Sequence, residues 1–267
     1  MSVRVDYIKL AEGIASLYKL PIPLKKILDD EGITFFCDDY GRDSFDGLTI
    51  YEPEQDSFYI HLNKTRGNSI SNSRGRFTLA HELGHYFIDH HRLAIMSGNM
   101  EPHWHRYEPF KKDANWLIER EADNFASSLL MPANLILEDL RAHPFSGEYV
   151  HSLAGKYMVS FSAMAIRCYN LDFTPMMLVY AEDGKVNWLL HSDDFPFWRL
   201  KYGNYRLPEN SVIGSYFYSK DVDSCRKNEI VFAGECFHVA DTAAANMELL
   251  EYCIPYKNKA FSMFWLK

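Results

Sequence analysis

Phe77-Thr78-Leu79-Ala80-His81-Glu82-Leu83-Gly84-His85-Tyr86-Phe87 is the stretch from which the fold is read. It carries H-E-x-x-H in an apolar, proline-free setting, which predicts a helix. At about 100° per residue, His81 and His85 fall on one helical face about one turn apart. Two imidazoles so placed can share one metal ion. The borderline-soft ion that accepts histidine nitrogen in an open tetrahedral site is Zn²⁺. Glu82 follows the first histidine and leans toward the open position without ligating, where it can take a proton from a metal-activated water as a general base.

A third ligand is sought downstream. Residues 116–132 (Trp116 to Pro132) read as a second helix, with Leu117, Ile118, Phe125 and Leu129 marking its buried face. Glu121 sits among them, at i+4 from Leu117 and i−4 from Phe125. An ionised carboxylate on a buried face is costly unless it is paired or metal-bound. Either a buried salt bridge or a metal bond would satisfy it, and a set of His81, His85 and Glu121 matches a catalytic zinc site. Glu119 and Asp123 lie about 200° from Glu121 on the helical wheel and are expected to face solvent. Ala122 and Ala126 would let this helix approach a neighbour closely.

Taken together, Arg76 to Tyr86, Glu121-Ala122-Asp123-Asn124-Phe125-Ala126 and Leu129-Leu130-Met131-Pro132 resemble the ImmA/IrrE family of zinc metallopeptidases. The resemblance covers roughly residues 5–172. It implies a gluzincin-like core that cleaves a helix-turn-helix repressor and thereby derepresses its genes. Carried over residue by residue, it implies one Zn²⁺ per chain on His81, His85 and Glu121, with Glu82 as the catalytic glutamate. The chain departs from the commoner pattern in residues 89–115, a long connection rich in histidine and aromatic residues. His90, His91, His103, His105 and Tyr107 lie in it; any of them could polarise a scissile carbonyl or steady a tetrahedral oxyanion, but no spacing fixes their positions and a surface loop is the default expectation.

Composition narrows the remaining possibilities. The 267 residues are 47% hydrophobic, enough for one large domain or two small ones. A net charge of −8 argues against a surface that attracts nucleic acid as a whole. No apolar run reaches membrane-spanning length, and Met1 to Lys9 has no signal-peptide core, so a cytoplasmic protein is expected. The five cysteines are scattered and never spaced C-x-x-C, which reads as buried thiols.

Along the chain, residues 6–18 and 24–28 show helical stripes, with Pro23 opening the second and Gly32 ending it. Strands are expected at 33–37, 48–51 and 58–62, forming a small antiparallel sheet ahead of the zinc helix, and Ser73 is a candidate N-cap. Arg66, Arg74 and Arg76 belong to a polar loop. Residues 147–174 phrase a helix-turn-helix, but the second helix offers a single cation, Arg167, so direct DNA binding is disfavoured and a packing unit or a repressor-docking surface is favoured. From Pro175 a β-rich module begins, with Asp183-Gly184 as a hairpin signal and further strands at 212–218, 229–239 and 260–266. The expected fold is α+β: a zincin-like metallopeptidase domain over residues 1–146, the helix-turn-helix-like segment over 147–174, and a β-rich sensor or recognition module over 175–267.

Overall fold

The computed structural model describes residues 6–99, 116–203 and 205–267. The chain divides into two compact units, residues 1–136 with 154–160 and residues 137–153 with 161–267. Each combines helices with strands, so the fold is α+β. Among the described residues, no helix is long and apolar enough to cross a membrane.

The first unit opens with α1 (Tyr7–Ala15) and α2 (Leu24–Glu31). Asp6 accepts from the first free N–H groups of α1, and Gly32, at φ 67°, ends α2 in the left-handed conformation that favours glycine. Then come β1 (Thr34–Asp38), β2 (Gly47–Glu52) and β3 (Ser57–Asn63), in sheet order β1-β3-β2. The hairpin β2–β3 is antiparallel, as expected. Strand β1 instead runs parallel to β3, so the sheet is mixed. The segment between β1 and β2 carries the chain past β3, and β2 is left as an edge strand of this sheet.

Asp46 fixes the start of that edge. It is almost fully buried and receives Arg66, at 3.0 Å, and Arg74, at 2.7 Å, with Asn68 as a third donor. Burial alone would raise its pKa, but the two guanidiniums and the Asn68 amide together hold it below the usual carboxylate value. Two of the loop arginines are therefore committed to this one buried anion. The third, Arg76, is buried within the next helix and donates to the Ile22 carbonyl at 2.9 Å.

That helix, α3 (Ser73–Phe87), carries H-E-x-x-H. Its N-cap is Asn72, not Ser73: Asn72 has an extended backbone, and its side chain accepts from the Gly75 N–H at 2.8 Å. The helix stops at Ile88, whose extended backbone turns the chain directly into α4 (Asp89–Met96). Across from α3 runs α5 (Trp116–Leu130). The two meet where a Cβ on Gly84 would lie 3.2 Å from the Ala122 Cα, so the small residues set the interhelical distance. Leu79, Leu83, Phe125, Leu129 and Leu130 are wholly buried nearby. Each such side chain contributes about 1.5–3 kcal/mol on removal from water.

Next come α6 (Ala133–Ala142), α7 (Gly147–Tyr157) and α8 (Phe161–Asn170). The second unit is built on a five-stranded sheet. In chain order its elements are β4 (Met176–Glu182), β5 (Lys185–His191), α9 (Val212–Tyr218), β6 (Glu229–Phe232), α10 (Ala233–Cys236), α11 (Thr242–Ala245), β7 (Glu248–Tyr256) and β8 (Lys259–Leu266). The sheet order is β5-β4-β8-β7-β6, with every neighbouring pair antiparallel. The Asp183-Gly184 turn has φ of 51° and 76°, the two left-handed residues a tight hairpin needs.

Two expectations fail in this unit. Residues 212–218, whose pattern favours a strand, form helix α9, because Ser211 caps it and Glu251 on β7 accepts from the Val212 and Ile213 N–H groups. The strand expected over 229–239 ends at Phe232, where α10 begins.

Candidate metal centre

The site is built where α3, α4 and α5 come together. On α3, His81 and His85 point the same way, and their Nε2 atoms stand 3.0 Å apart. The carboxylate that reaches them is Glu119 of α5, with Oε2 at 3.3 Å from His81 Nε2 and Oε1 at 3.7 Å from His85 Nε2. Glu121, the carboxylate expected there from the sequence, lies elsewhere. Its Oε2 is 2.7 Å from His90 Nε2 and 3.2 Å from His91 Nε2. Among the described residues, these are the two groups whose donors could hold a metal ion: His81, His85 and Glu119, and His90, His91 and Glu121.

The difference has a geometric cause. The buried stripe of α5 is Ala122, Phe125, Ala126 and Leu129, whereas Leu117 is 59% exposed. Taking Ala122 as the centre facing α3, Glu119 stands about 60° and Asp123 about 100° to one side, and Glu121 about 100° to the other. Glu119 and Asp123, one turn apart, therefore flank the histidine pair. Asp123 Oδ1 is 2.9 Å from His81 Nδ1. Neither acidic residue is given over to solvent, contrary to the expectation from the helical wheel.

The donor chemistry suits a cation. Two atoms each about 2.0–2.1 Å from a tetrahedral ion stand about 3.3–3.4 Å apart, and the three separations at His81, His85 and Glu119 bracket that spacing. When His81 Nδ1–H donates to Asp123, the lone pair is left on Nε2, facing the other donors. Burial alone would push the His81 imidazole down in pKa. The hydrogen bonds and charges of Asp123 and Glu119 outweigh burial and hold it well above the ordinary histidine value.

Glu82 is buried in the direction of the sheet. Its Oε2 accepts from Thr49 Oγ1 of β2 at 2.7 Å. A Cβ on Gly47 would stand 2.5 Å from its Oε1, so only glycine leaves room for this carboxylate under the edge strand. His91 is fully buried on α4, and its Nδ1 lies 3.2 Å from His85 Nδ1. Burial and the neighbouring His90 lower its pKa to about 4, against the opposing pull of Glu121. His103, His105 and Tyr107 lie outside the described residues.

Glu119, Asp123, Thr49 and Gly47 thus stand around the candidate centre without a sequence motif that singles them out. The signal that could have found the first two was the Ala122–Ala126 pair, taken as the centre of the buried stripe.

The Peptidase_M78 family, described as an IrrE N-terminal-like domain, matches residues 57–169. No curated protein matches the chain. Among solved structures, a Mycobacterium tuberculosis transcriptional regulator shares the fold at a TM-score of 0.57 and 14% identity, over 97% of this chain and 75% of that one. Both H-E-x-x-H and the acidic helix α5 fall within residues 57–169, the stretch that matches the Peptidase_M78, IrrE N-terminal-like family.

Proposed function

We propose that the protein is a zinc-dependent endopeptidase that cleaves a helix-turn-helix transcriptional repressor. The observation that carries this reading is the convergence of His81, His85 and Glu119 on one point, beside a buried, non-ligating Glu82. His81 Nε2, His85 Nε2 and Glu119 would hold the ion. Zn²⁺ held there supplies a Lewis acid that polarises a carbonyl and acidifies water.

The rest of the chemistry falls to the chain. Glu82 takes the proton of the attacking water and returns it to the leaving amine, as a general base and then a general acid. Thr49 orients that carboxylate by donating to one of its oxygens. Asp123 accepts from His81 Nδ1–H, so that Nε2 is the nitrogen that would give up its proton to bind the ion. Strand β2, at the edge of the sheet among the described residues, would align an extended peptide along the site by main-chain pairing. The repressor as substrate is what the resemblance of the motifs to the ImmA/IrrE family implies, and a net charge of −8 favours encounter with a basic DNA-binding protein.

The test is to incubate full-length protein with a co-encoded helix-turn-helix repressor, with and without a chelator, alongside Glu82→Gln. Chelator-sensitive cleavage that Glu82→Gln abolishes is the expected result. Tight binding of the repressor with no cleavage by either form would replace the peptidase with a regulatory protein that acts by docking.

A further inference from the structure

The group of His90, His91 and Glu121 lies outside the three proposed ligands, yet it touches one of them. His91 Nδ1 faces His85 Nδ1 at 3.2 Å, and His91 Nε2 faces Glu121 Oε2 at 3.2 Å. The chain of contacts is Glu121, His91, His85 and then the Nε2 that looks toward His81 and Glu119.

Proton accounting fixes its direction. An ionised carboxylate only accepts, so the His91 nitrogen beside Glu121 carries the proton and its Nδ1 is left as an acceptor. His85 must then donate from Nδ1, which frees the lone pair of its Nε2. This is the tautomer a metal ligand needs. At His81 the same result is reached in one step, by Asp123.

The same accounting bears on whether this group is a second metal site. A metal on each group would need a lone pair on both Nε2 atoms, and hence a proton on both Nδ1 atoms. Those two N–H groups would then point at each other across 3.2 Å. With neutral imidazoles, the two groups cannot both hold a metal in this geometry.

We propose that His91 and Glu121 are positioning residues, an outer relay that locks His85 as an Nε2 ligand and that holds a proton where a second metal would otherwise sit. His90 closes the relay from outside by contacting the same Glu121 oxygen at 2.7 Å. The inference rests on the proposed centre at His81, His85 and Glu119, and the experiment separates the two.

Metal-free full-length protein is titrated with Zn²⁺ against a competing chelator, and folding is followed by circular dichroism. The parent should bind one equivalent, and His81→Ala or Glu119→Ala should lose it. Glu121→Ala and His91→Phe should retain one equivalent at about 10–100-fold lower affinity, the usual cost of losing an outer partner. His91→Asn should recover most of that loss, since its amide oxygen restores an acceptor close to where Nδ1 stood. A merely structural role for His91 would give no such rescue.

Parent-like affinity in Glu121→Ala and His91→Phe would overturn the relay while leaving the centre intact. Should His91→Phe fail to fold, Glu121→Ala decides alone. Two equivalents in the parent, one of them lost in Glu121→Ala, would make the second group a metal site and overturn the relay. Complete loss of zinc in Glu121→Ala, with zinc kept by Glu119→Ala, would overturn the relay and the choice of third ligand together. Undiminished zinc in His81→Ala would overturn the centre itself.

Discussion

Thr49 donates its hydroxyl to Glu82 Oε2 at 2.7 Å, joining the edge strand β2 to the helix α3 across 33 positions of sequence. The bond fixes the orientation of the Glu82 carboxylate beneath the strand. Glu82→Gln should keep zinc and fold but lower kcat by about 10²–10⁴, the range for a lost general base. Thr49→Val removes the hydroxyl, which donates to Glu82 Oε2 and lies 3.2 Å from the Glu82 carbonyl oxygen. The variant's kcat/KM should fall roughly tenfold, in line with the loss of one hydrogen bond to a charged group. Steady-state kinetics with metal analysis on the same samples checks both. An unchanged rate in Glu82→Gln would dismiss Glu82 as the base.

Glu119 and Asp123 sit one turn apart on α5 and touch His81 through different nitrogens, which gives them separable roles. Glu119→Ala should abolish stoichiometric zinc. Asp123→Ala should retain it at about 10–100-fold weaker affinity, and Asp123→Asn should be milder, because an amide oxygen still accepts from Nδ1–H. Chelator competition measures all three. If Asp123→Ala proves the more damaging, the assignment of ligand and orienting partner is reversed.

These two carboxylates also mark the limit of what could be read from the chain alone. H-E-x-x-H was legible because its meaning is local: four residues of helix bring His81 and His85 together whatever surrounds them. The third donor depends on how α5 is rotated against α3, and that rotation is set by packing. The apolar Leu117 pointed to one face, but the close contact of Gly84 with Ala122 set another. His91 needed the break at Ile88, a backbone change that no pattern of side chains announces. In the second unit, the Asp183-Gly184 hairpin was readable from two residues. Helix α9 was not, since Val212, Ile213, Tyr216 and Phe217 favour a strand locally. A carboxylate 38 or 39 positions away overrides that preference.

Because Gly84 sets the distance between α3 and α5, it should govern stability and metal affinity together. An added Cβ already meets the Ala122 backbone and the Phe125 ring at 3.2 Å, so Gly84→Ala needs a shift of a few tenths of an ångström. Gly84→Val adds two more carbons with no space for them and should cost about 1–3 kcal/mol by overpacking. The helices would separate, drawing Glu119 away from His81. Thermal unfolding and zinc affinity should therefore fall in the order parent, Ala, Val. Lowered stability with parent-like zinc affinity in Gly84→Val would show that the centre tolerates the displacement.

Glu251 makes the second unit sensitive to pH. It is wholly buried on β7 and accepts from Val212 N at 2.6 Å, Ile213 N at 2.9 Å and Ser262 Oγ at 2.6 Å. Burial raises its pKa from 4.5 to about 7, with the three hydrogen bonds opposing. Between those values the folded protein holds a proton that the unfolded chain has released. The contribution of this group is fully present below about pH 4.5 and is lost as pH rises through about 7, a change of about 3 kcal/mol. Glu251→Gln cannot titrate, and it should start out less stable because its amide N–H₂ meets a backbone donor. Denaturant unfolding of parent and variant from pH 4.5 to 8 removes the titration common to both. The advantage of the parent should shrink as pH rises through the window. A constant difference would show that Glu251 does not titrate there, and a growing one would show that its hydrogen bonds outweigh burial and hold the carboxylate ionised.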